Sequence, residues 1–216
     1  MPTASDEPTR LAAFCRELGL DVPAERLARL LRYASLVRER NARVNLVSRR
    51  DTDRVVSYHI VDSLASARFL GTDARVCDIG TGAGLPGIPL AIARPDVRMT
   101  LVDSTAKKCL FLEEAVRGLK LRNAAVESVR AEELAGLDCD TVISRVTGPL
   151  ARVLRQLHHH RAEDGRILFY KATGWQEQFD EAGPVLRRLG LRVERAETVV
   201  LPITGIERHF IIVGRA

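Results

Sequence analysis

The residues best placed to do chemistry lie in one short segment, Arg75-Val-Cys-Asp-Ile-Gly-Thr-Gly-Ala-Gly-Leu-Pro-Gly87. Asp78 is followed by Gly80, Gly82 and Gly84 at alternate positions, then by Leu85. Glycines let a backbone approach a ligand without a Cβ in the way. Two ligand classes compete for such a loop. Read as Gly82-Ala-Gly84-Leu-Pro-Gly87, it is the dinucleotide fingerprint, with a pyrophosphate at the following helix N-terminus. Read as acid-x-Gly-x-Gly-x-Gly with Asp78 inside, it suits S-adenosylmethionine (SAM), which has no phosphate and carries an amino group and a sulfonium. A carboxylate favours a cationic ligand and repels a pyrophosphate. A dinucleotide fingerprint usually opens its domain, whereas about 75 residues of apparent helix precede this one. SAM is therefore the expected cofactor.

The flanking pattern supplies the elements that must hold this loop. Val76, Cys77 and Ile79 read as a buried strand, and Pro86 and Pro89 open an apolar helical pattern. A second strand, Arg98 to Asp103, ends in an acid about 20 residues after the glycines, where a carboxylate reaches ribose hydroxyls. Ser104 or Thr105 is placed to cap the next helix. Further strands are expected at Ala124 to Val129, Thr141 to Ser144 (ending at Arg145), Arg166 to Tyr170 (ending at Lys171), Leu191 to Val199 and Arg208 to Val213. Alternating strands and helices predict an α/β fold with a mostly parallel, Rossmann-like sheet. The late strand pair with no helix between adds an antiparallel edge. Residues 1–72 are expected to form a helical extension, and 73–216 the SAM-dependent methyltransferase domain of class I type.

A chain of 216 residues supports one such domain with a core that needs no staples. Its four cysteines, Cys15, Cys77, Cys109 and Cys139, show no C-x-x-C spacing, which fits a reducing cytoplasm. There is no signal peptide and no membrane-length apolar run, so no membrane partner is expected. Net charge is +5, with 29 arginines to four lysines. Nine arginines fall between Arg26 and Arg54 against three acids. Leu27, Leu30, Leu31, Ala34 and Val37 recur at helical spacing, leaving Arg26, Arg29, Arg32, Arg38 and Arg40 largely on other faces. Arg38, Arg40 and Arg43 are the candidate RNA contacts. For any one of these arginines an ordinary solvated helix face is the better explanation; it is the cluster that makes an RNA-facing surface an equal alternative.

Several of these residues resemble a known family. Asn45-Leu46, His59-x-x-Asp62-Ser63, Asp78-Ile-Gly-Thr-Gly-Ala-Gly-Leu-Pro-Gly-Ile-Pro-Leu90, Asp103-Ser104, Arg130-x-Glu-Glu133, Ser144-Arg145, Lys171 and Glu207-Arg-His209 are similar to the RsmG (GidB) family. The resemblance runs from about residue 10 to the end. It implies SAM-dependent methylation of N7 of one guanine in the decoding-region loop of bacterial 16S rRNA. The implied partner is that RNA or the small ribosomal subunit, with no DNA and a monomeric enzyme. By position, Asp78, Gly80, Gly82, Gly84 and Leu85 hold the cofactor, Asp103 the ribose, and Ala131 and Glu132 the adenine. Arg145 lies beside the methyl as a positioning residue, with no general base. His59, Lys171 and Arg208 join the candidate RNA contacts. Ala172, where the family usually has glycine, and Val146-Thr-Gly-Pro149 depart from the pattern.

Other residues have plainer readings. His158-His-His160 reads as a helix end, not a metal cluster, and no metal is expected. His59 and Asp62 share a helix face, as a surface hydrogen bond or as a wall of the site. Trp175 reads as core more readily than as a base-stacking platform. The alternatives are a SAM enzyme for small molecules or proteins, an NAD-linked oxidoreductase, which lacks a Tyr-x-x-x-Lys pattern, and a non-catalytic RNA-binding or ribosome-assembly module.

Overall fold

A computed structural model describes residues 7–145, 148–201 and 204–216. Helices α1 (Glu7–Glu17) and α2 (Ala24–Val44) lead into a 3-10 turn (Arg49–Arg54), a π-helical turn (Val55–Ile60) and the short α3 (Val61–Leu64). There follow β1 (Arg75–Ile79), α4 (Gly87–Ala93), β2 (Arg98–Asp103), α5 (Ala106–Gly118), β3 (Ala124–Ser128) and β4 (Cys139–Ser144). The chain continues through α6 (Leu150–Leu157), β5 (Arg161–Lys171), α7 (Trp175–Glu181), α8 (Gly183–Arg188), β6 (Leu191–Val200) and β7 (Glu207–Arg215).

The seven strands form one sheet in the order β3-β2-β1-β4-β5-β7-β6. Strands β1 to β5 pair in parallel, and β7 runs antiparallel to both β5 and β6. The antiparallel pairing thus falls at one edge, as the late strand pair implies. Strand order reverses between β1 and β4, the switch point where an open α/β sheet receives a ligand at the carboxyl ends of its strands.

Alternation along the strands builds two cores. Val76, Met99, Leu101, Ile143, Leu168 and Phe210 face a layer made by α1 to α5. Cys77, Val102, Val142, Ile167, Phe169 and Ile211 face α6, α7 and α8. The first 72 residues do not stand apart: Leu11, Phe14, Leu30, Tyr33 and Val37 belong to the same continuous core as α4 and α5. Helix α2 buries Leu30, Tyr33, Ala34, Val37 and Asn41 at three- and four-residue intervals. It stops at Asn45, whose left-handed φ of 52° turns its N–H back to the Asn41 carbonyl. A short polar side chain tolerates that conformation, which gives Asn45 a structural use.

Trp175 opens α7 and meets Phe179 edge-on at 5.6 Å within the second core. His160 is buried and its ring Nε2 lies 3.0 Å from the Ala131 carbonyl. The three histidines form a 3-10 turn at the end of α6. Among the described residues, no cluster of histidine, cysteine or carboxylate is arranged for a metal. No described helix is long and apolar enough to cross a membrane. Val146 and Thr147, part of the departure after Arg145, lie outside the described residues.

Candidate active site

The glycine loop joins the carboxyl end of β1 to α4, and each glycine has its own physical reason. Gly80 sits at φ +72° and its N–H donates to the Val102 carbonyl at 2.9 Å. Gly84 has φ +88°, and a Cβ there would come within 2.6 Å of Ile88 Cδ1. Gly87 would place a Cβ 2.2 Å from a Leu101 methyl. Gly84 and Gly87 therefore serve close packing of α4 against the sheet, while Gly80 shapes the ligand-facing turn. Leu85 is buried in the larger core.

The two acids do more internal work than their positions imply. Asp78 is buried; its Oδ2 accepts from Thr81 Oγ1 at 2.6 Å and from the Gly87 N–H at 2.9 Å, while Oδ1 has no hydrogen-bond partner. An open carboxylate facing a cation is thus not what forms. Asp78 is a brace for the loop. Burial pushes its pKa up to about 6, against the pull of Thr81, Gly87 and Arg145. Asp103 links the first two strands: Oδ2 accepts from the Gly82 N–H and Oδ1 from the Thr105 N–H, both at 2.9 Å. This corrects the expected cap of α5. Neither Ser104 nor Thr105 caps it with a side chain; Asp103 receives the Thr105 N–H instead. Each carboxylate oxygen keeps a second lone pair for a ligand hydroxyl.

Gly80 and Asp103 meet Ala131, Glu132, Arg152 and Gln156 around an open cleft of about 230 Å³ at the carboxyl ends of β1 and β2; Asp78, Gly82, Gly84 and Leu85 do not line it. Glu132 accepts from Gln156 across its wall. An acceptor from Asp103 at one end and the backbone and side chain of Ala131–Glu132 at the other fit the ribose and base of an adenosine. A larger hollow of about 430 Å³ between α5 and β3 holds none of the expected residues and lies on the flank of the sheet. Tyr33, fully buried on α2, donates its hydroxyl to the Ala83 carbonyl at 2.7 Å and ties the N-terminal helices to the glycine loop. An aromatic in the apolar stripe of α2 was the only sequence signal for that tie.

Arg145 follows β4 and is not among the residues that line the cleft. Its Nη2 lies 3.4 Å from Asp62 Oδ2, its guanidinium stands 5.7 Å from the Tyr170 ring, and its buried Nη1 has no hydrogen-bond partner among the described residues. His59 is buried with both ring nitrogens unpartnered; it does not hydrogen-bond Asp62 as their spacing suggested. Burial, helped by Arg145, holds its pKa down to about 4, so the ring is neutral.

The expected RNA contacts divide. Arg208 is not a free surface cation: its Nε donates to Asp62 Oδ1 at 2.6 Å and its Nη2 to Tyr58 Oη at 3.3 Å. Burial pulls its pKa down, but Asp62 more than offsets this and the net shift is upward. Lys171 donates to Gln178 Oε1 at 3.0 Å, with its pKa lowered by burial. Arg38 bridges Glu7 and the Thr52 carbonyl, and Arg40 pairs with Glu114. Arg43 is exposed and has no ion pair among the described residues, as is true of Arg49 and Arg50 on the 3-10 turn beyond α2.

The fold resembles those of solved SAM enzymes at low sequence identity. A SAM-dependent methyltransferase from Aquifex aeolicus matches with a TM-score of 0.58 and 18% identity, covering 77% of this chain and 95% of that one. The 1,6-didemethyltoxoflavin-N1-methyltransferase of Burkholderia thailandensis, solved with S-adenosylhomocysteine, matches with a TM-score of 0.58 and 17% identity over 87% and 90%. Sequence relatives are much nearer. The ribosomal RNA small subunit methyltransferase G of Chlorobaculum tepidum is 38% identical over 93% of this chain and 92% of its own length. That of Methylobacillus flagellatus is 34% identical over 94% and 95%. The family model GidB, rRNA small subunit methyltransferase G, matches residues 26–210. With a class I SAM methyltransferase sheet beneath the motifs, the chain belongs to the rRNA small subunit methyltransferase G (GidB) family.

Proposed function

We propose that this chain transfers a methyl group from SAM to N7 of a guanine in 16S rRNA of the small ribosomal subunit. The reading rests above all on the meeting of Gly80, Asp103, Ala131 and Glu132 in one cleft at the carboxyl ends of β1 and β2. Bound there, SAM supplies an electrophilic methyl on a sulfonium. The chain's own residues bind and orient. Gly80 and Gly82 give backbone access, Asp103 accepts from ribose hydroxyls, and Ala131 with Glu132 meets the adenine edge. Guanine N7 carries a lone pair and no proton, so catalysis by alignment suffices and no general base is required. Arg145, with Nη1 unspent, is the residue we assign to positioning beside the methyl. The guanine must lie outside a duplex stack for its N7 to be presented in line.

Asp78 makes cofactor binding depend on pH. A cationic ligand favours the ionised carboxylate, so binding lowers a pKa that stands at about 6 in the free protein and expels a proton. SAM affinity should fall by roughly tenfold from pH 7 to pH 5. Calorimetry across that range checks this, and Asp78→Asn should flatten the profile. A parent profile already flat would show that Asp78 does not sense the ligand.

The RNA-facing surface is best carried by Arg43, Arg49 and Arg50, the arginines of the α2 end that no carboxylate holds among the described residues. Replacing the three with glutamine should leave SAM affinity within about twofold. The salt dependence of small-subunit binding should flatten by up to about two to three log–log units if all three touch phosphate. A triple variant with normal methylation and an unchanged salt slope would make this end of the protein an ordinary solvated surface.

A further inference from the structure

Asp62 is a carboxylate with no solvent exposure, shared by two arginines from distant parts of the chain. Arg208, on β7, donates to its Oδ1 at 2.6 Å, and Arg145, after β4, stands at ion-pair distance from its Oδ2, 3.4 Å, without a hydrogen bond. The surrounding contacts fix this arrangement further. Tyr170, which Arg145 overlies, donates its hydroxyl to Ser66 and lies 3.3 Å from the Ser63 carbonyl, so the segment bearing Asp62 also holds the ring. Arg208 is held at its other nitrogen by Tyr58. His59, packed beside the group, is neutral and adds no third positive charge.

A buried ion pair is weak evidence for stability, because desolvation consumes most of the attraction. Such a group is better explained by what it orients. Here two guanidiniums share one carboxylate, so the cluster retains a positive charge. Among the described residues, the buried nitrogen of its arginines without a hydrogen-bond partner is Nη1 of Arg145, at the carboxyl end of β4. We propose that Asp62 is a positioning residue for methyl transfer: with Arg208 as its anchor, it locks the Arg145 guanidinium so that Nη1 is presented to the bound substrates. This rests on the assignment of Arg145 to the site. It gives Asp62 and Arg208 a role through Arg145 and not through direct contact with RNA.

A double-mutant cycle on the full-length enzyme tests this, with small ribosomal subunits and SAM as substrates and kcat/KM and thermal stability read for each protein. Arg145→Ala, Asp62→Asn and the double variant are compared with the parent. Asp62→Asn should lose at least about tenfold in kcat/KM, and the double variant should be no slower than Arg145→Ala within about twofold. Losses that multiply in the double variant would overturn the proposal and leave Asp62 a structural brace. An Arg145→Ala enzyme as fast as the parent would instead overturn the assignment of Arg145, a distinguishable failure. If Asp62→Asn does not fold, Arg208→Lys takes its place in the cycle. That variant keeps the charge but loses the fork, and multiplicative losses there overturn the proposal equally.

Discussion

Gly80→Val should abolish SAM binding, raising the dissociation constant more than about a hundredfold, while the protein stays folded. Gly80 occupies φ +72° on the floor of the cleft, a conformation that a β-branched residue adopts only at a cost. The strain of about 1–3 kcal/mol is local and should lower the melting temperature by about 2–10 °C. The ligand suffers more, because relaxing the backbone moves the turn it lies against. Gly84→Val is the contrasting case. Its added methyls meet Ile88 within the α4 packing, so stability should fall more than affinity in the surviving folded fraction. Calorimetry with SAM and thermal melts on both variants separate the two effects. SAM affinity unchanged in Gly80→Val would remove the cofactor from this loop.

Asp103→Ala should weaken SAM binding by about 3 kcal/mol or more, roughly a hundredfold. Charge-assisted bonds to ribose hydroxyls supply one part of that loss. The other part comes from the protein: Asp103 accepts the N–H groups of Gly82 and Thr105, so its removal frees the glycine loop and the start of α5 together. Two part-buried donors would lose their partner, at a cost below the roughly 1–3 kcal/mol of a fully buried one because water reaches them. A loss of less than about 0.5 kcal/mol in affinity would mean that the carboxylate serves the loop alone and that the adenosine lies elsewhere.

The sheet was legible because buried parallel strands read as short apolar runs between turn residues. Val76 to Ile79, Arg98 to Asp103 and Thr141 to Ser144 lie in strands, and the late antiparallel pair is at the edge. Strand β5 was expected to begin at Arg166 but starts at Arg161. The polar run Arg161-Ala-Glu-Asp-Gly165 hides a strand whose pairing with β4 is interrupted by a register shift between Cys139 and Thr141. The acids of the cleft were visible as strand-end carboxylates, yet their bonds to the loop were not. Asp103 meets Gly82 only because β2 lies next to β1. Charge alone also said nothing of the arginines' partners. Periodicity placed Arg38 and Arg40 off the apolar stripe but carried no information about Glu7 or Glu114, which come from other helices. The Asp62–Arg208 pair spans 146 positions, and only the meeting of β7 with the helical segment before β1 brings it together.

The central claim is tested most directly by locating the transferred methyl. Small ribosomal subunits from a bacterial strain lacking this enzyme are incubated with the purified protein and methyl-labelled SAM, and the modified nucleotide is then mapped. The account predicts one labelled guanine in 16S rRNA, carrying the methyl on N7, in a loop and not in a duplex, with no label when Arg145→Ala replaces the parent. Label on a ribosomal protein or another base position, or no transfer to any subunit preparation by a protein that binds SAM, would contradict it.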